Sequence, residues 1–295
     1  MERTFKGIVG LLATVCALIA AQTAYAQEKA KEVVRTRGTE SMTHIITEYA
    51  AEFNAGNQTC NIVVSGGASK IGIETLLSGE NEIAMMSERV TQDELNQAKA
   101  KGLDLQEVVV GFGAIVVLVH PSNSMSSLTL DQLHKLLTGE YTSWNQVGGP
   151  DKAVMVVGVD EKIRGATYRF ITQTVLKGGA FAPGARLVRY FRSVPPTVWE
   201  NEGAIGIVRM RNLERALEQG MGKQIKTMAI RKDEKSPAIA PSRESVDEGT
   251  YPITRAYYLY VVGNKSNKCT KDFFKFCAAR NPRPHDTPVV STSKR

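Results

Sequence analysis

From Val33 onward the apolar positions switch between two spacings, strand runs of period two or continuous apolar character and helical faces of period 3.6. That alternation predicts an α/β fold. EVVRTRG reads as a short strand, and a helix begins near Ser41, where Met42, Ile45, Ile46, Tyr49 and Phe53 keep the spacing of one buried face. NIVVSGG runs from strand into a glycine turn, SKIGIETLLSGE is a helix ending at Gly79, and NEIAMM is the next strand. A helix then opens at Thr91 with Glu94 in the capping-box position. EVVVGFGAIVVLVH is almost free of polar residues from Val108 to His120, the pattern of a strand covered on both faces.

After Pro121 the composition changes to PSNSMSSLT, and a helix follows that Thr129 and Gln132 can cap. This change marks the expected crossover into a second domain. That domain carries the strand AVMVVGV, a helix within 160–177, the arginine-rich ARLVRYFR, and GAIGIVRM running into a helix. A polar loop from Arg231 to Thr250 precedes the aromatic strand YPITRAYYLYVVG, which returns to the first domain. The organisation expected is a discontinuous lobe I, residues 27–120 plus 252–295, and a lobe II, residues 121–251. The tail from Asn281, with Pro282, Pro284 and Pro288, is expected to be irregular.

The helix within 160–177 has an unusual start. Tyr168, Ile171 and Val175 share a face, and Lys177-Gly178-Gly179 is an ordinary stop. Arg164 and Gly165 stand where it begins, and a cation there opposes the helix dipole by about 0.3–1 kcal/mol.

Composition adds compartment and charge. The chain has 295 residues, 42% hydrophobic and 23% charged, enough for two globular domains. Residues 1–26 combine Arg3 and Lys6, an apolar run from Ile8 to Ala21 and Ala24-Tyr25-Ala26, the pattern of a cleaved secretory signal peptide. The apolar run is shorter than the roughly 20 residues of a membrane span. No cysteine stands directly after the expected cut, so the mature chain should start near Gln27 as a soluble species. Loss of Glu2, Arg3 and Lys6 lowers the formal charge from +7 to +6, which suits anionic solutes or surfaces. Arg186, Arg189 and Arg192, at spacing three, read as one solvated face, and no nucleic-acid fold signature accompanies them.

Cys60, Cys269 and Cys277 remain after cleavage, so at most one pair can form within the chain. Cys269 and Cys277 lie on one expected helix, two turns or about 12 Å apart, too far for a bridge. Cys60 should therefore pair with one of the two. The four histidines lie far apart in sequence, at no metal-ligand spacing, and neither metal nor cofactor is expected.

Candidate chemistry concentrates where small-residue turns enter helices, because free backbone N–H groups there favour anions. Three such junctions stand out: GTESM at 38–42, SGGASK at 65–70 and IRGAT at 163–167. Each alone reads as a turn plus N-cap; together, on both sides of the crossover, they suggest a cleft. There is no G-x-S-x-G elbow, Walker loop or HExxH, so no enzyme is expected. Trp144, Tyr251, Tyr257 and Tyr258 read as packing residues.

The string SGGASKIGIETLLSGENEIAMMSERV resembles the signature of the periplasmic phosphate-binding proteins of ABC transporters. The similarity continues through VLVHPSNSMSSLTLDQLHKLLTGEYTSWNQV, ENEGAIGIV and YPITRAYYLYV, in the family's order. The resemblance implies a two-lobed type II periplasmic binding protein, each lobe a mixed sheet flanked by helices, closing over an oxyanion in the cleft between lobes. It implies a monomeric periplasmic partner of an inner-membrane ABC permease, with inorganic phosphate or a related oxyanion as ligand. Carried over residue by residue, it points to Ser41 and the Met42 N–H, to Ser69, and to Glu82 where the family has an aspartate that accepts from the protonated anion. In the third motif the family's arginine position holds Asp160, and its Ser-Gly-Thr is replaced by Arg164, Gly165 and Ala166. Arg164 then either supplies the missing charge, since a guanidinium binds oxyanions bidentately, or pairs with Asp160 or Glu161. The alternative function is a non-transport envelope interaction or sensory module on the same scaffold.

Overall fold

The computed structural model describes residues 31–160, 165–280 and 290–291. The expected signal peptide, Arg164, and residues 281–289 and 292–295 of the expected tail lie outside the described residues. In chain order, β1 (Glu32–Gly38), α1 (Thr43–Ala55), β2 (Cys60–Ser65), α2 (Ser69–Ser78), β3 (Ile83–Met86), α3 (Gln92–Ala100) and β4 (Leu105–Val119) come first. β5 (Ser127–Thr129), α4 (Leu130–Thr138), β6 (Met155–Val159), α5 (Ala166–Thr174), β7 (Arg186–Val188) and α6 (Val194–Trp199) follow. Then come β8 (Ala204–Arg209), α7 (Met210–Glu218), β9 (Lys226–Thr227), β10 (Ala229–Arg231), α8 (Arg243–Asp247), β11 (Thr254–Val262) and α9 (Lys268–Ala278). The fold is the expected two-lobed α/β arrangement.

Local signals act where the sequence places them. Thr91 and Thr129 form capping boxes with Glu94 and Gln132, and Gly79 closes α2 in the left-handed conformation at φ 85°. The helix expected near Ser41 is split: Glu40–Met42 is a 3-10 turn, and α1 proper starts at Thr43.

The principal strand order is β2-β1-β3-β11-β4-β8-β6-β7. β1 lies parallel to β2 and β3, the outcome of βαβ connections, whereas β11 runs antiparallel to both β3 and β4. β4 joins the halves: Leu105–Ala114 pair with β11, and Ile115–Val119 pair with β8. The register shifts between Tyr257 and Tyr258, a bulge that bends the pair close to where β4 changes partner.

This topology brings the C-terminal strand ends together. β1 and β3 run in the direction of β4 and stop at Gly38 and Met86. On the other side β8 comes back antiparallel to β4, with Arg209 opposite Ile115, and β6 runs beside it. The ends of both parallel sets therefore face each other at the middle of β4. Crevices outside such carboxyl ends are where open α/β sheets bind ligands.

Packing follows the two-sided pattern. Alternate residues of β3 and β11 go to opposite faces: Ile83, Met85, Leu259 and Val261 pack with α1 and α9 residues such as Ile46 and Phe273. Ala84, Met86, Tyr260 and Val262 pack with Ile73, Leu76 and Leu95. The second lobe is built around Val116–Val119, Leu133, Trp144, Val157, Ile205 and Tyr251. Trp144 is fully buried and donates its indole N–H to the Gly203 carbonyl at 2.9 Å.

Cys60 pairs with Cys269, one of the two partners left open, with 5.6 Å between Cα atoms; Cys277 is buried as a free thiol. The bridge ties α9 to the start of β2, the outermost strand of the first lobe. It closes a sequence separation of 209 residues, for which a chain-entropy estimate is about 5 kcal/mol. Urea unfolding with and without reductant, or of the Cys60→Ser, Cys269→Ser double variant, should show a loss of about 2–5 kcal/mol. Unchanged midpoints would mean that the bridge adds nothing.

Candidate functional site

The floor of the cleft is set by close backbone approach. At the end of β1, Gly38 has φ +152°, and a Cβ there would lie 2.0 Å from the Met85 carbonyl oxygen. A Cβ on Gly72 would lie 2.7 Å from the Arg37 carbonyl oxygen. Both positions must be glycine for α2 to seat its N-terminus against the ends of β1 and β3. There Thr39, Ser69 and Ser87 form a buried set: Ser87 Oγ donates to Thr39 Oγ1 at 3.4 Å, and Ser69 Oγ accepts from the Ser87 N–H at 3.3 Å.

From the crossing strand β11, Arg255 reaches the two lobes at once. Its Nη2 donates to Thr167 Oγ1 at 2.9 Å and to Ser41 Oγ at 3.3 Å, and its Nη1 to the Ala166 carbonyl at 3.0 Å. Ser41 Oγ and Thr167 Oγ1 lie 3.4 Å apart. The rings of Phe170 and Tyr257 sit 5.2 and 5.8 Å from the guanidinium. Burial draws the Arg255 pKa downward, yet an arginine remains charged. A second link joins Arg169 Nη2 to Glu88 Oε1 at 2.5 Å.

Above this floor opens a cavity of about 580 Å³. Its walls come from Thr39–Ser41 and the Gly67-Ala68 turn, from Gly165–Tyr168, from Arg189–Arg192, and from Arg209, Asn212 and Arg215. The helices whose starts line it, α2, α5 and α7 and the 3-10 turn at Glu40, carry no side-chain cap. α3, α4, α8 and α9 each have one. First-turn N–H groups in the cleft are thus left for another acceptor.

An adjoining chamber of about 230 Å³ shares Ser41, Arg209 and Arg215 and reaches His44, Arg211 and Arg243. Burial, and then the charges of Arg211, Arg243, Arg215 and Arg209, push His44 down to about 4. Burial likewise lowers Arg209. Four arginines thus act on His44, and the chamber wall also carries the carboxylates of Glu40 and Glu214.

The structure brings together Ser41, Gly165 and Ala166, all in the cavity wall. Met42 is buried beneath them, and its N–H closes the 3-10 turn onto the Thr39 carbonyl at 3.1 Å. Ser69 lies just behind the Gly67-Ala68 turn, its hydroxyl engaged by Ser87. Glu82 is not brought to the cleft. It precedes β3, at the opposite end from Ser87, and binds Arg35 through the backbone N–H at 2.6 Å and through Nη2 at 2.8 Å. Arg164 lies outside the described residues, and among them no metal-binding cluster occurs.

Thr167, Arg255, Arg209 and Arg215 were not singled out by sequence. A signal existed for Arg255, a lone cation in an aromatic strand. Arg189 and Arg192 were read as solvated with Arg186; only Arg186 faces away from the cavity, paired with Glu200 at 2.9 Å.

A model of the PBP superfamily domain matches residues 23–281. The phosphate-binding protein PstS of Staphylococcus saprophyticus is 24% identical over 255 residues, covering 84% of this chain and 76% of that one. PstS of Borreliella burgdorferi is 21% identical over 253 residues, covering 83% and 84%. Among solved structures, an ABC-type phosphate transport receptor from Vibrio cholerae superposes with TM-score 0.65 at 23% identity, over 88% of this chain and all of that one.

The His44 environment gives a pH dependence. Its folded pKa, about 4, lies below the ordinary 6.5, so between these values the unfolded chain takes up a proton that the folded chain refuses. Stability from this group is intact above about 6.5 and lost as the pH falls toward 4. Thermal unfolding midpoints should drop more steeply over that window in the wild type than in His44→Gln; parallel profiles would contradict the assignment.

Proposed function

The chain belongs to the PBP superfamily, and from that premise we propose that it is a substrate-binding protein that captures phosphate or a related oxyanion for an inner-membrane ABC permease. One observation carries the reading. A buried guanidinium stands behind two hydroxyls at the floor of an interlobe cleft whose helix starts are uncapped.

The physical effect is on the direction of protons. Arg255 has only donors, so it occupies lone pairs of Ser41 Oγ and Thr167 Oγ1. Each hydroxyl must then aim its own proton elsewhere. At most one can donate to the other across 3.4 Å, which leaves an O–H for an acceptor in the cavity. Arg255 therefore acts as a positioning residue and as a source of charge. Its positive charge, desolvated and held among the described residues by hydroxyls, a carbonyl and the rings of Phe170 and Tyr257, is neutralised when an anion enters.

In this reading Ser41, Thr167 and the N–H groups at the starts of α2 and α5, around Gly165 and Ala166, bind the anion. Ser69 and Met42 hold the turns that shape the site. Glu40, in the cavity wall, takes the acceptor role toward a protonated oxyanion that sequence reasoning gave to Glu82. We assign lobe I to residues 27–120 and 252–295 and lobe II to 121–251, with a monomer acting outside the cytoplasm after signal cleavage. No covalent step is involved; lobe closure excludes water. The substitution of Arg164-Gly165-Ala166 for Ser-Gly-Thr favours a second reading, an envelope module that has lost phosphate binding.

Titration calorimetry with phosphate, arsenate and sulfate separates them. Saturable heat with phosphate is expected, and Arg255→Met should weaken it about tenfold or more, the loss of a charged hydrogen bond worth about 1.5–3 kcal/mol. Arg255→Lys should recover part of that loss. Absence of heat with all three anions would reject transport of an oxyanion and favour the second reading.

A further inference from the structure

Resting on the oxyanion reading above, we propose that the cleft contains a second anionic subsite beside Ser41 and Thr167, formed by Arg209 and Arg215 with Arg192 at the mouth. The preferred ligand is then a small organic phosphate bearing a second anionic group, not inorganic orthophosphate.

Size is the first support. A tetrahedral oxyanion has five non-hydrogen atoms; at the roughly 30 Å³ that a water occupies in the liquid it fills about 150 Å³. The cavity is about 580 Å³, within the roughly 300–1,000 Å³ typical of organic ligand sites. Closure does not remove the excess, because the lobes already touch through Arg255–Thr167 at 2.9 Å and Arg169–Glu88 at 2.5 Å.

Charge is the second and independent support. Arg189, Arg192, Arg209 and Arg215 line the cavity, and Glu40 is the carboxylate among the lining residues. Among the described residues no carboxylate forms an ion pair with any of these four arginines, whereas Arg186, Arg211 and Arg243 on the same surfaces have Glu200, Glu214 and Asp247. The unpaired guanidinia are nevertheless held in place. Arg192 lies 4.3 Å from the Tyr190 ring centroid and Arg209 5.2 Å from that of Phe191. Arg209 Nε donates to Asn212 Oδ1 at 2.9 Å, which leaves its two terminal amino groups without a protein acceptor among the described residues. That fork suits a planar carboxylate or a second phosphoryl group. The same subsite adjoins the His44 chamber through Arg209 and Arg215.

The test compares orthophosphate, glycerol 3-phosphate and 3-phosphoglycerate, the last two differing in the added carboxylate. By calorimetry on the wild-type protein, 3-phosphoglycerate should bind at least about tenfold more tightly than either of the others, equivalent to about 1.4 kcal/mol. Arg215→Gln, and Arg209→Gln with it, should bring that ratio to within about twofold while changing orthophosphate affinity less than about threefold. In NMR titrations of the wild type, the His44 imidazole pKa should rise more with 3-phosphoglycerate than with orthophosphate. Equal affinity for orthophosphate and 3-phosphoglycerate, or a preference that survives both substitutions, overturns the subsite and leaves the oxyanion reading standing. If none of the three ligands binds, both fall together.

Discussion

The antiparallel pairing of β4 with β11 is the constraint on which the cleft depends. Because Leu105–Ala114 pair with β11 and the next five residues pair with β8, one continuous strand belongs to both lobes. Strand directions on either side are then no longer independent. β1 and β3 end where β6 and β8 end, and the turns leaving all four strands are thrown into the same gap. Glycine at positions 38 and 72 lets those turns approach closely. Arg255 extends the same logic: placed on β11 one residue past Thr254, it stands at the level where both lobes can be reached.

Apart from α1 and α6, which continue from 3-10 turns without a side-chain cap, capping divides the helices by location. α3, α4, α8 and α9, outside the larger cavity, satisfy their first turns with Thr91, Thr129, Ser242 and Asn267. α2, α5 and α7 begin with Ala68, Gly165 and Arg209 and have no such cap. A missing cap costs about 0.5–2 kcal/mol of helix stability, and three such costs at one cavity are accounted for when an anion serves as the shared acceptor. An arginine at the start of α7 sharpens the point, since without an anion it opposes the helix dipole.

Much of the fold was legible because its signals are local. Thr91 with Glu94, Thr129 with Gln132, Gly79 after α2 and the apolar run in β4 each act within a few residues. Excluding a Cys269–Cys277 bridge needed only helix geometry, but choosing Cys269 over Cys277 as the partner of Cys60 depends on which face of α9 meets β2. The site was legible in part. Ser41, Gly165 and Ala166 follow from motif position, whereas Arg255 meets Ser41 across 214 residues of chain. Glu82 illustrates the same limit: a strand of four residues separates it from Ser87, and which end faces the cleft is decided by topology. Arg189 and Arg192 are exposed, as expected, but spacing alone did not reveal that the strand and 3-10 turn of that stretch set them in the cavity wall.

The charge distribution also bears on how the lobes are held when the cleft is empty. Burial lowers the pKa of both Arg209 and Arg255, and Arg209 also feels the charge of Arg255. Such repulsion works against a closed cleft, while the contacts of Arg255 with Thr167 and Ala166 and of Arg169 with Glu88 work for it. An anion long enough to reach from Ser41 and Thr167 to Arg209 offsets the repulsion without disturbing the contacts. Binding energy and closure then have a common source, and the gain in stability on saturation grows as RT ln(1 + [L]/Kd). A neutral ligand of the same shape would leave the repulsion in place.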